Sequence, residues 1–135
     1  MITLAHVFLR QATDANFVRE CIAKIPFDCP WDWRTETLEQ IQNGKLHCAE
    51  IISGDKKTGI LVYAVIDENG ARELFVSCVF CTETKPFAEL SPIVDAIAAA
   101  NQCQSIRFHT SRPGMVKVAE NFGYKIAETI VRKKL

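Results

Sequence analysis

Cysteine offers the richest chemistry in this sequence, and six are present: Cys21, Cys29, Cys48, Cys78, Cys81 and Cys103. Thiolates bind metals, exchange disulfides and attack electrophiles, so spacing decides which of these is feasible. Cys78 and Cys81 form a CxxC, but inside the apolar run Leu74–Phe80, which reads as a strand. Strand side chains alternate between faces, so positions three apart point to opposite sides, against a redox pair or a zinc knuckle. Five of the six lie in or beside apolar runs, where free cysteine packs as a small hydrophobe. Reduced packing thiols are the expectation, with a metal role beside His47 or His109 as the alternative. Trp31 and Trp33 close a stretch that begins at Pro26 and holds two prolines and three aromatics. It reads as an ordered loop whose rings either grip a substrate or a protein partner, or plug the sheet edge. Arg132, Lys133 and Lys134 read as a solvated chain end, since three charges do not make a nucleic-acid site.

The elements that must position these residues follow from periodicity and punctuation. Ile2–Leu9 reads as a first strand, and Thr13-Asp14 offers an N-cap for a helix burying Phe17, Val18, Cys21, Ile22 and Ile25, which Pro26 stops. A short second helix follows, with Thr37 and Gln40 as a capping box and Asn43-Gly44 as its end. Strands are expected over Leu46–Ser53, Gly59–Ile66 and Glu73–Cys81, with Asn69-Gly70 a strong hairpin signal. A longer helix carries Phe87, Leu90, Val94 and Ile97; its start is open, because Ser91-Pro92 also reads as a cap and first helical residue. Ser105–Thr110 is a strand, Pro113 opens a last helix that Gly123 caps, and Tyr124–Arg132 closes the chain as a strand. The order βααβββαβαβ predicts an α+β (mixed α/β) fold, a central mixed sheet of about six strands flanked by four helices. One domain over residues 1–135 is expected.

The length of 135 residues suits a single domain, and 48% apolar with 24% charged residues excludes a disordered or collagen-like chain. Sixteen basic residues balance sixteen acidic ones, so no general pull toward nucleic acid or anionic membrane exists. Apolar runs such as Ile60–Ile66 fall far short of the ~20 residues of a spanning helix. Met1–Leu9 lacks the basic start and cleavage site of a secretory leader. A soluble, cytoplasmic protein is the expectation.

With this order, the segment CAEIISGDKKTGILVYAVIDENGARELFVSCVFC resembles the second to fourth strands of the GNAT superfamily of acyl-CoA N-acyltransferases. SIRFHTSRPGMVKVAENFGY resembles that family's fifth strand and fourth helix, ending in its Gly-aromatic pair at Gly123-Tyr124. The chain is also similar to short GNAT-like proteins encoded by phages. The resemblance implies that strand four splays from strand five to admit the pantetheine arm of acetyl-CoA, with the backbone near Val79, Phe80 and Cys81 bonding it. A donor there also stabilises the oxyanion formed when an amine attacks the thioester. The attacking amine must lose a proton. Glu73 resembles in its spacing the glutamate base of histone acetyltransferases, or is an ordinary strand-end charge after Arg72; His109 is the other candidate base. Trp31 and Trp33 fall where family members place part of the acceptor site.

Three features depart from the family pattern. The pyrophosphate loop is here Thr82-Glu83-Thr84-Lys85-Pro86, without glycine, leaving Lys85 as a point charge for phosphate. Ala119 stands where a tyrosine often protonates the leaving thiolate. The chain after Gly123 has room for one closing strand. The resemblance implies acetyl transfer from acetyl-CoA to an unidentified amine by direct attack, or else a catalytically silent GNAT-fold module with a structural or binding role. A homodimer or a place in a larger assembly stays open.

Overall fold

The computed structural model describes residues 7–26, 30–82, 87–110 and 112–135, and the backbone but not the side chain of Phe87. The strands are β1 (Val7–Gln11), β2 (His47–Ser53), β3 (Lys56–Glu68), β4 (Ala71–Cys81) and β5 (Ser105–Phe108). The helices are α1 (Ala15–Ala23), α2 (Arg34–Gln42), α3 (Phe87–Ala100) and α4 (Pro113–Glu120). One sheet runs in sequence order from β1 to β5. Its first four strands are antiparallel neighbours, and α3 carries the chain over to β5, which lies parallel to β4. The hairpin between β3 and β4 turns at Asn69 (φ 52°) and Gly70 (φ 78°), the left-handed pair that a tight primed turn requires.

Each face of the sheet has its own core. On one, Val18, Cys21 and Ile22 of α1 pack on Cys48, Ile60 and Val62, with Leu38 and Ile41 of α2 beside them. On the other, Val94 and Ala98 of α3 pack on Ile51, Leu61, Leu74 and Val76. Cys78 joins the first core and Cys81 the second, so the CxxC does point to opposite faces. Asp14 caps α1, its side chain accepting from the N–H groups of Asn16 and Phe17 at 3.1 Å.

The structure corrects several expectations. The sheet has five strands among the described residues, not about six. Tyr124–Arg132 forms no strand, and residues 125–135 are exposed throughout. The alternating apolar residues there suit a strand, but a strand needs a partner edge, and β5 offers only four residues. Helix α2 starts at Arg34, so Thr37 is no cap; it is buried inside the helix and its hydroxyl donates to the Trp33 carbonyl at 3.1 Å. Asp32 serves the start instead, accepting from the Arg34 N–H at 3.0 Å. Helix α3 begins at Phe87 with Pro92 inside it, which removes Ser91-Pro92 as its start. Ile2–His6 lies outside the described residues.

Candidate active site

The site begins where β4 and β5 part. Their parallel ladder has four rungs, from Glu73–Ser105 to Val76–Phe108. Beyond Val76, β4 continues to Cys81 while β5 has ended, so the main chain of Ser77–Cys81 faces no described strand on that side. Local sequence forces both departures. The far end of β4 is drawn toward β3: a Cβ on Gly59 would lie 1.8 Å from the Phe80 carbonyl oxygen, so only glycine permits this approach. Just beyond, the N–H and hydroxyl of Thr82 both donate to the Thr58 carbonyl, at 2.6 and 3.1 Å. On the other side, Thr110 accepts from the Arg112 N–H at 3.1 Å, turning the chain into α4 at Pro113, which has no N–H for a ladder. Ser77 is an extra residue opposite the Val62–Tyr63 step of β3, a bulge that changes which side chains face which way. As a result Phe75 and Cys78 share the α1 face.

A polar cluster lies on that face next to the opening. Glu73 accepts from the Ser105 hydroxyl at 2.8 Å and pairs with Arg107 at 3.3 Å. Arg107 lies over the Phe75 ring at 5.1 Å, and the ring of His109 is tilted against Phe75 with 5.2 Å between centroids. The Arg107 Nε is buried without a hydrogen-bond partner. Glu73 and His109 are therefore in one cluster but not at one level. Glu73 is on the first rung, whereas His109 is exposed and immediately follows the last one, roughly 13 Å further along the strands. Alternation along β5 places Ser105, Arg107 and His109 on one face, a signal readable in the sequence that reasoning on single residues passed over.

Of the expected cofactor-binding residues, Val79, Phe80 and Cys81 all fall on the part of β4 that extends past the last β4–β5 rung and pairs with β3. Val79 is exposed, Phe80 packs toward α1 and Cys81 toward α3. Lys85, with Glu83 and Pro86 of the same loop, lies outside the described residues. Trp31 is exposed in the connection between α1 and α2, and Trp33 is half-buried at the start of α2. The structure gives neither a contact with the Glu73 cluster.

Cys78, at the mouth of the gap, is no nucleophile: burial pushes its thiol up to about 12, and that of Cys48 likewise. Cys21, Cys48, Cys78, Cys81 and Cys103 are free thiols, and Cys29 lies outside the described residues. No group of three or more metal-ligating side chains occurs among the described residues. Ala119 is buried and accepts the N–H groups of Phe122 and Tyr124, folding the end of α4 back on itself. This sets the Tyr124 ring edge-on to Phe108, 5.3 Å between centroids, at the last β4–β5 rung. Burial, and then Asp95, raises the Tyr124 phenol above its usual range, so it stays protonated at neutral pH.

No protein-family model matches the sequence, and no curated protein matches it. Solved structures do. An aminoglycoside N-acetyltransferase, AAC(6')-Iy in complex with CoA, superposes with a TM-score of 0.68 at 15% identity, covering 100% of this chain and 98% of that one. The chain has the GNAT fold. A predicted acetyltransferase from Clostridium acetobutylicum, solved with acetyl-CoA, gives 0.65 at 12% identity over 96% of each chain. A transcriptional regulator from Bacillus halodurans gives 0.68 at 16% identity, over 96% of this chain and 100% of that one. At such identities the likeness is one of fold. No helix among the described residues is long and apolar enough to cross a membrane.

Proposed function

We propose that this protein transfers the acetyl group of acetyl-CoA directly to an amine. The observation that carries the reading is the opening between β4 and β5: past Val76 the β4 strand, Ser77–Phe80 included, has no described strand beside it on that side, where the amide-rich pantetheine arm fits. The amine nitrogen attacks the thioester carbon, and an N–H of the bulged strand stabilises the oxyanion. The C–S bond then breaks, the amine proton passes to a base, and the CoA thiolate takes a proton from an acid. His109 is the base, because it stands at the opening, exposed, with only the Phe75 ring against it among the described residues. Glu73 acts at one remove: its oxygens hold Arg107, Arg107 lies on Phe75, and Phe75 seats His109. Tyr124 is the acid in place of the tyrosine that Ala119 lacks. The buried, protonated thiols of Cys48 and Cys78 favour direct attack over an acyl-cysteine. Dependence on acetyl-CoA suits a cytoplasmic protein.

Calorimetry with acetyl-CoA, paired with CoA-thiol release over a panel of amines, tests this. Binding is expected to be weak for the fold, because the stretch that the resemblance makes the pyrophosphate loop carries Glu83 and Pro86 in its sequence and no glycine. Losing one or two charge-assisted hydrogen bonds weakens affinity by roughly one to several powers of ten. Glu83→Gly should strengthen binding and Lys85→Ala weaken it. No binding at millimolar acetyl-CoA would leave a silent module of the same fold.

A further inference from the structure

Arg107 has more hydrogen-bonding capacity than the described residues use. Its neighbours Ile106 and Phe108 pack on the α3 side, so alternation puts Arg107 on the α1 face, one rung before the ladder ends. A guanidinium carries five N–H groups in a rigid fork. Among the described residues only Nη1 meets an acid, Glu73 at 3.3 Å, and that carboxylate also accepts from Ser105. Nε is buried without a hydrogen-bond partner, a costly state that calls for an explanation. The side chain is nevertheless 33% exposed, so part of the fork can be reached from outside. The Phe75 ring beneath it, at 5.1 Å, holds the guanidinium in place before any ligand arrives.

The same ring seats His109, and residues 107 and 109 point the same way from one strand, their Cα atoms roughly 7 Å apart. One small molecule can therefore touch both groups at once. With His109 taking the amine proton, the attacking nitrogen lies beside the imidazole, and whatever the acceptor carries a few bonds away lies beside Arg107. Charge selects that group. Glu73 is spent on Ser105 and Arg107, whereas the guanidinium still has donors to give. The geometry points to Arg107 as a carboxylate-binding residue for the acceptor, which is then an amine that also bears a carboxylate, an amino acid rather than a plain amine. Glu73 holds Nη1 and leaves the Nη2–Nε edge of the fork, the edge that meets a carboxylate with two parallel hydrogen bonds. A carboxylate there gives Nε the acceptor it lacks. The inference rests on the acetyl-transfer reading for what lies at His109, and on the contacts of Arg107 itself for the carboxylate.

The probes are 3-aminopropanoate and 3-aminopropanamide, which match in length and differ in charge. Protein labelled with 15N-arginine gives one Nε–H resonance per arginine, and Arg107→Lys assigns that of Arg107 while keeping a cation for Glu73. The titration is run with CoA already saturating, so that no phosphate of CoA supplies the response. The acid should shift the Arg107 Nε–H at concentrations where the amide does not. In the CoA-release assay, Arg107→Gln should raise KM for the acid by about 10- to 100-fold, the range of a charge-assisted pair, and leave KM for the amide nearly unchanged. An arginine that only seats His109 would move both amines alike. Equal KM values for the two amines in wild type, or equal rises in Arg107→Gln, overturn the subsite. A resonance that moves with CoA alone and not with the acid does so too. If Nε–H answers the acid while neither amine is acetylated, the transfer reading falls for these amines and the subsite stands. If both amines are acetylated with equal KM and no Nε–H response, the subsite falls and the transfer reading stands.

Discussion

His109 and Glu73 share a face of the sheet through Phe75 and Arg107, and their environments differ. Both oxygens of Glu73 are already taken, by Ser105 and Arg107, while the His109 ring is exposed at the opening. His109→Gln should therefore lower kcat by a factor of about 10² or more. Glu73→Gln should cost less, about 10-fold, and Arg107→Ala should have a similar effect, because both act on how the imidazole is seated. Steady-state kinetics on the three variants decides the matter. A larger loss from Glu73→Gln than from His109→Gln would make Glu73 the base. Both residues are visible in the sequence as polar groups at strand ends. Their arrangement was not, because it depends on where β5 stops and on an arginine two residues away on the same face. Tyr124 illustrates the same limit, since its approach to Phe108 comes from the fold-back at Ala119 and not from spacing.

At the scale of elements, the gap depends on β4 leaning toward β3, and Gly59 is what allows it. Gly59→Ala places a methyl against the Phe80 carbonyl, and the end of β4 must move toward the space left by β5. Overpacking of this kind costs roughly 1–3 kcal/mol. The variant should melt lower and lose most of its acetyl-CoA affinity. Affinity unchanged by calorimetry, in a folded variant, would mean that the free edge of β4 is not where the cofactor lies. The order of strands and helices was legible because apolar periodicity, Asn69-Gly70 and Pro113 mark it locally. The start of α2 was misread, since Thr37 followed by Gln40 imitates a cap from inside the helix. The missing last strand was misread for another reason: pairing is a property of two segments, and Tyr124–Arg132 shows only its own half.

For the whole molecule, the first core is tied to the sheet by charge as well as by packing. Glu50, 1% exposed, lies between Arg10 at 3.4 Å and Lys57 at 3.6 Å, and Lys57 also binds the cap residue Asp14 at 3.0 Å. The Lys57 hydrogen bond, followed by the Phe17 N–H, lowers the Asp14 pKa below 3.8. A carboxyl lowered on folding adds stability that is complete above its unfolded value and vanishes as pH falls through its folded one. Asp14→Asn should therefore lower the melting temperature at pH 7, and the gap to wild type should close as pH falls below about 4 and through the lowered folded value. A gap that persists at pH 2 would show that the asparagine acts through lost capping geometry instead. Lys57→Met is expected to lower the melting temperature more than Asp14→Asn does, because it leaves the buried Glu50 carboxylate with Arg10 alone.

The exposed segment 125–135 has a colloidal consequence. Ile126, Ile130 and Val131 are 69%, 64% and 91% exposed, on a stretch of chain with strand-forming composition. A formal charge of zero and a pI near 6.8 leave no long-range repulsion between molecules at neutral pH. Sticky, unpaired segments on uncharged particles associate once they meet. Light scattering should find solubility lowest near pH 6.8 and rising on both sides. Replacing Ile130 and Val131 with threonine should flatten that minimum without moving it, since the charge balance sets its position and the exposed apolar segment its depth.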